Sequence, residues 1–177
     1  MATPLPGAYT VEIERRDDAR GFFARTWCRR EFADMGLNAD LAQCNFSYTR
    51  ERGTLRGMHW QAEPHAEAKL VRCTRGAIWD AIIDLRCDSP TYMQHFGVEL
   101  TAESGRALYI PEGMAHGFVT LQNDCEVSYQ MSEFYEPAAG RGLRWNDPAF
   151  GIAWPLSDPI LHPRDASYPD FQPGNGQ

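Results

Sequence analysis

Gly105-Arg-Ala-Leu-Tyr-Ile-Pro111-Glu-Gly113-Met-Ala-His116 decides the fold. The apolar run Ala107–Ile110 meets a Pro-Glu-Gly turn and returns through small and apolar residues to a histidine. That order reads as strand, tight turn, strand. Working outward, short segments of alternating or β-branched character recur: Tyr9–Glu14, Ala42–Thr49, Leu55–Gln61, Ala68–Thr74, Ala77–Leu85, His95–Leu100, Gly117–Leu121 and Glu126–Met131. Arg75-Gly76, Asp88-Ser-Pro90 and Gln122-Asn-Asp124 separate them as turns. Many short strands at this spacing predict an all-β sandwich or barrel. Helices are expected only at Arg29–Met35, ending at Gly36, and as a short turn around Pro163–Ser167.

The 177 residues are 43% hydrophobic and 23% charged, which suits one domain, 1–177, with 170–177 expected as a flexible tail. A net charge of −7 argues against nucleic acid as a partner. A few arginines turned into one cavity can still bind a small anion. The five cysteines are scattered without a C-x-x-C pair, so reduced thiols are expected rather than disulfides or structural zinc. No apolar run approaches the roughly 20 residues of a membrane span. Met1-Ala-Thr-Pro-Leu-Pro6 lacks the marks of a secretory signal, so a cytoplasmic location is expected.

In form the opening stretch is G-x5-P-x-G-x2-H, which resembles the second motif of the cupins and implies a double-stranded β-helix, a jelly-roll barrel with short helical additions. The first cupin motif needs H-x-H and a following Glu. Here His59-Trp60-Gln61 is followed by His65 and Ala66. Losing one histidine and the carboxylate leaves too few ligands, so no metal and no cofactor are expected.

Alternation along Leu55–Gln61 puts His59 and Gln61 on one face and Met58 and Trp60 on the other. By the same rule Lys69, Val71 and Cys73 share a face, as do Asp80 and Ile82, and Val127, Tyr129 and Met131. If those faces are internal, one cavity collects His59, Lys69, Asp80, His116 and Tyr129. A base, a cation, a carboxylate and a phenol suit abstraction of a proton α to a carbonyl. Taken singly, His59 reads as a core histidine, Tyr129 as packing and Asp165 as a surface carboxylate. Arg56 has the wrong parity to join His59 unless Gly57 introduces a bulge or sharp twist.

The motifs Leu55-Arg-Gly-Met-His-Trp-Gln61, Lys69-Leu-Val-Arg72, Asp80-Ala-Ile-Ile-Asp-Leu-Arg86, Ile110-Pro-Glu-Gly-Met-Ala-His-Gly-Phe118, Trp145-Asn-Asp-Pro148 and Trp154-Pro155 follow one another in order. Together they resemble the dTDP-4-dehydrorhamnose 3,5-epimerase family, from about Asp18 to Asp165. The resemblance implies a nucleotide-sugar substrate, with His59 as general base and Asp165 orienting it. It also implies Lys69 and His116 at the reacting centre, Asp80 paired with His116, and Tyr129 protonating the opposite face. Arg20, Gln43, Asn45, Arg56 and Tyr135 match positions lining the nucleotide and sugar pocket. A homodimer is implied, whose N-terminal strand, Tyr9–Glu14 here, completes the neighbour's sheet. Two departures stand out. Arg25 takes the place of an acidic residue expected to contact the nucleotide, and Gln130 stands where lysine is frequent. The readings left open are a single-carbon 3-epimerase, an epimerase of a CDP- or GDP-linked sugar, a metal-dependent cupin oxygenase or isomerase, and a non-catalytic sugar-nucleotide binding module.

Overall fold

Most of the expected runs become strands with slightly shifted ends in the computed structural model, which describes residues 1–173. The strands are β1 (Tyr9–Val11), β2 (Arg16–Asp18), β3 (Gly21–Phe23), β4 (Gln43–Thr49), β5 (Thr54–Gln61), β6 (Lys69–Arg75), β7 (Ala77–Asp84), β8 (His95–Thr101), β9 (Ala107–Ile110), β10 (Met114–Thr120), β11 (Cys125–Met131), β12 (Gly140–Gly142) and β13 (Ile160–Leu161). Helices α1 (Arg29–Asp34) and α2 (Pro163–Ala166) fall where helical segments are expected. Gly36, at φ +72°, supplies the left-handed residue that closes the turn after α1.

Two sheets face each other. One has the order β1-β9-β6-β11-β4, and the other β12-β5-β10-β7-β8, with β13 added in parallel to β5. The remaining neighbours are antiparallel and mostly non-consecutive in sequence, the winding of a double-stranded β-helix. β10 begins before the expected Gly117, because its ladder with β7 is continuous from Met114↔Asp84 to Thr120↔Ile78.

Three pairings escape the alternation rule. The β2–β3 hairpin is built from charged residues and exposed Phe22 and Phe23, and Asp18 fixes its turn by accepting the Arg20 N–H at 2.8 Å. β12 is Gly-Arg-Gly, and β13 has only two residues. At the N-terminus, β1 pairs with β9 of its own chain, Tyr9 opposite Tyr109, and forms an edge of that sheet.

Inward residues of both sheets, among them Val71, Cys73, Ile78, Ile82, Leu108, Phe118 and Val127, form the main apolar core. A second cluster, including Met58, Trp60, Ala81 and Ile83, covers the outer face of the β12-to-β8 sheet beneath the chain that carries Leu143 and Phe150. Where the tail is expected to start, Asp170 pairs with Arg144, and the Phe171 and Phe150 ring centroids are 5.1 Å apart. The end of that tail, residues 174–177, lies outside the described residues. Among the described residues no helix is long and apolar enough to cross a membrane.

Candidate active site

Apolar side chains fill only part of the space between the sheets. The rest is an open cavity of about 950 Å³, the size of a small-ligand site, lined from β4, β5, β6, β10, β11 and the α2 segment. Motion along β6 and β11 shows the change of character. Lys69 and Met131, opposite each other, line the cavity, whereas Cys73 and Val127, also opposite each other, belong to the core.

The wall formed by β5 depends on a bulge. His116 is opposite His59 and Phe118 is opposite Arg56, so two steps along β10 match three along β5. The extra residue reverses parity and lets both Arg56 and His59 line the cavity, the bulge on which the inward reading of Arg56 depends. Gly57 makes it possible. Its φ is +122°, and a Cβ there would stand 2.8 Å from the His116 carbonyl oxygen and collide with the Gly117 Cα.

On this wall each histidine ends on a carboxylate. His59 Nε2 lies 2.8 Å from Asp165 Oδ1. Asp165 is 3% exposed, which corrects its reading as a surface group: α2 turns it inward, where its Oδ2 also accepts the Gly57 N–H at 3.4 Å. Burial pushes the Asp165 carboxyl up, but the hydrogen bond and charge of His59, the Gly57 N–H and Arg164 outweigh it, leaving the carboxyl below its ordinary value. Next to His59, His116 Nε2 lies 2.7 Å from Asp80 Oδ1, both groups being buried. Asp80 Oδ2 has no hydrogen-bond partner.

The facing wall, from β6, β11 and β4, carries Lys69 and Tyr129. Lys69 Nζ is 2.9 Å from Glu67 Oε1, and the Tyr129 hydroxyl is 3.0 Å from Ser47 Oγ. Burial pushes the Tyr129 phenol up to about 12; Asp80 adds to this, and Ser47 and Arg56 oppose it. Glu67 and Ser47 are functional candidates that the motif reading passes over. Alternation along β4 puts Ser47 on the face of Asn45, whereas Glu67 precedes β6 and lies outside the alternating run.

Gln61, where a metal-binding barrel would hold its second histidine, has its amide occupied by backbone. Its Nε2 donates to the carbonyls of His65 and Phe134, at 2.9 and 3.1 Å, and its Oε1 accepts the Glu136 N–H at 2.6 Å. Gln43, expected in the pocket, does not line it; its Oε1 accepts the Tyr135 N–H at 2.7 Å. The two glutamines thus tie down the loop that brings Tyr135 to the cavity, where Asn45 and Arg56 also stand. Among the described residues no group of three or more His, Cys, Asp or Glu is placed to hold a metal.

Arg20 and Arg25 are not brought to this cavity. Arg20 sits on the β2–β3 turn paired with Asp18 at 2.6 Å, and Arg25 pairs with Glu31 at 2.5 Å. Two arginines that no motif singled out, Arg141 and Arg164, line the cavity instead, with Arg56.

Residues 2–173 match the family model described as dTDP-4-dehydrorhamnose 3,5-epimerase. The enzyme of that name from Sinorhizobium fredii is 45% identical over 159 residues, 87% of this chain and 80% of that protein. A dTDP-4-dehydrorhamnose 3-epimerase from Streptomyces niveus is 39% identical over 162 residues, 91% of this chain and 78% of that protein. Among solved structures, the 3,5-epimerase of Elizabethkingia anophelis superposes with a TM-score of 0.94 at 37% identity, covering 97% of this chain and 94% of that one. The Bacillus anthracis enzyme, solved with TDP and PPi bound, gives 0.93 at 38% identity, over 97% and 98% of the two chains. With the barrel, the paired histidines and the facing tyrosine already in place, these matches make the chain a member of the dTDP-4-dehydrorhamnose 3,5-epimerase family.

Proposed function

We propose that this chain inverts the two carbons flanking the C4 ketone of a dTDP-linked 4-keto-6-deoxy-sugar. One observation carries the reading: His59, bound to a buried carboxylate, and Tyr129, a half-buried phenol, stand on opposite sheets across one cavity. A carboxylate can only accept, so in the His59–Asp165 pair Nε2 carries the proton and Nδ1 is the basic nitrogen. His59 takes the proton from the carbon next to the ketone. The C–H electron pair moves into the carbonyl, giving an enolate whose oxygen Lys69 stabilises, with His116 beside it. Tyr129 then returns a proton to the other face of the same carbon, and the configuration is inverted. The substrate's own ketone accepts the electrons, so the reaction consumes no cofactor.

Arg56, Arg141 and Arg164 suit the diphosphate, and Tyr135 with Asn45 the sugar and nucleoside. Arg20 and Arg25 reach the substrate only if a second copy supplies them. A homodimer is supported by the open edge of β4 with exposed Phe46 and Tyr48, and by Phe22 and Phe23 on the projecting hairpin. A cytoplasmic enzyme of deoxysugar synthesis accords with cysteines that form no disulfide among the described residues.

Incubation with dTDP-, CDP- and GDP-4-keto-6-deoxyglucose in D2O, read by mass spectrometry, tests the reading. Two deuterons taken up from the dTDP substrate are expected. One deuteron would identify a single-carbon epimerase, preference for CDP or GDP would change the nucleotide, and no uptake from any of the three would end the proposal.

A further inference from the structure

Glu67 stands in the cavity with no part in the reaction as written above. It lies two residues before Lys69, just ahead of β6, and both side chains reach into the cavity. The pair is 2.9 Å apart, and the side chains keep only 10% (Glu67) and 13% (Lys69) of their exposure. Both line the cavity, and each is the other's ion-pair partner. A cation and an anion withdrawn from water together cost far less than either alone. Lysine has three N–H donors, so one contact with Glu67 leaves two for substrate.

We infer that Glu67 is a positioning residue that fixes Lys69 for the enolate oxygen and masks its charge from the substrate's diphosphate. The inference rests on the role of Lys69 proposed above. Fixing matters because lysine has a long rotatable stem, and a donor aimed before the reaction needs no reorganisation when charge develops. Masking matters because the diphosphate is the most charged part of the substrate. A bare ammonium deep in the cavity would compete for it with Arg56, Arg141 and Arg164 and hold the substrate in a wrong register. The field of a close ion pair falls off faster than that of a single charge. Lys69 therefore acts at contact distance, on an oxygen that becomes anionic only as the proton leaves. That preference for the transition state over the ground state is what raises kcat.

Glu67→Ala, Glu67→Gln and Lys69→Met, made in the full chain and checked for unchanged melting, test this. In Glu67→Ala, kcat should fall about tenfold while KM changes about twofold or less, the size of one lost charge-assisted hydrogen bond. Glu67→Gln keeps an acceptor for Nζ without the charge. It should recover most of kcat and be inhibited about fivefold or more tightly by inorganic pyrophosphate, as an unmasked lysine charge requires. Normal kcat in Glu67→Ala, no recovery in Glu67→Gln, or unchanged pyrophosphate inhibition would each overturn the inference. Lys69→Met separates the two levels. If it retains full kcat, the role of Lys69 itself fails; if it loses kcat while Glu67→Ala does not, only the role of Glu67 fails.

Discussion

On the β5–β10 wall of the cavity each histidine ends on a carboxylate, His59 on Asp165 and His116 on Asp80, whereas on the β6–β11 wall the phenol of Tyr129 is hydrogen-bonded to the neutral hydroxyl of Ser47. A carboxylate behind an imidazole fixes its tautomer and stabilises the cation formed when it takes a proton. Burial beside a hydroxyl does the opposite for a phenol, keeping Tyr129 protonated up to about 12. In the reaction proposed above, the first wall accepts protons and the second gives them. The walls differ in backbone as well. β6 and β11 run in regular register through Lys69, Val71 and Cys73, whereas β5 needs its bulge to turn Arg56 and His59 the same way.

The largest effect should come from breaking the accepting wall. In His59→Ala, deuterium exchange at both carbons should fall about 10³-fold, the size of a positioned base. Tyr129→Phe should spare much of the exchange, because His59 still removes and returns protons on its own face, while inversion slows about 10²-fold. Mass spectrometry of the deuterated sugar and NMR of the epimer measure the two separately. Equal loss of exchange and inversion in Tyr129→Phe would remove the division between the walls.

The bulge is the next point of attack. In Gly57→Ala the new methyl meets the His116 carbonyl and the Gly117 backbone, neither of which is a flexible side-chain tip, and the left-handed φ adds strain. A loss of about 3 kcal/mol is expected, or about 6–12 °C in Tm for a chain of this size. Arg56 should leave the cavity with it, raising KM. Calorimetry showing an unchanged Tm would mean that β10 yields easily and that the bulge is not what sets this wall.

The same contrast explains what could be read from the sequence. On the regular wall, counting by twos was enough to bring Lys69 and Tyr129 inward with Val71 and Val127. On the bulged wall the rule found His59 but misjudged Arg56 until Gly57 was considered, because a single extra residue inverts every later parity. Asp165 was not legible from its neighbours. It is 106 residues from His59, and only the fold of α2 onto β5 buries it. Glu67, Ser47 and the backbone ties of Gln61 were also missed, since each acts through another residue and leaves no motif of its own. Arg20 and Arg25 came from the resemblance alone, and nothing within one chain brings them to the cavity.

The smallest effect tests the giving wall from behind. Ser47→Ala removes a hydroxyl that steadies Tyr129 and draws its phenol down, so the phenol should move further up and lose its fixed direction. About 1 kcal/mol is expected, roughly fivefold in the rate of inversion, with exchange on the His59 face unchanged. The pH profile carries the same sign. Tyr129 in the folded chain holds its proton above the ordinary value of 10, so the stability it contributes is complete below about pH 10 and is lost as pH rises toward 12. Its ionisation therefore sets no alkaline limit on the reaction below about pH 11. Tyrosinate absorbance, taken as the difference between the wild-type chain and Tyr129→Phe, should show this group titrating well above 10, as Tyr109, also pushed up to about 12, should in both chains. An early titration would mean that the phenol is already solvated, and a solvated phenol exchanges its proton with water too freely to deliver it to one face of the sugar.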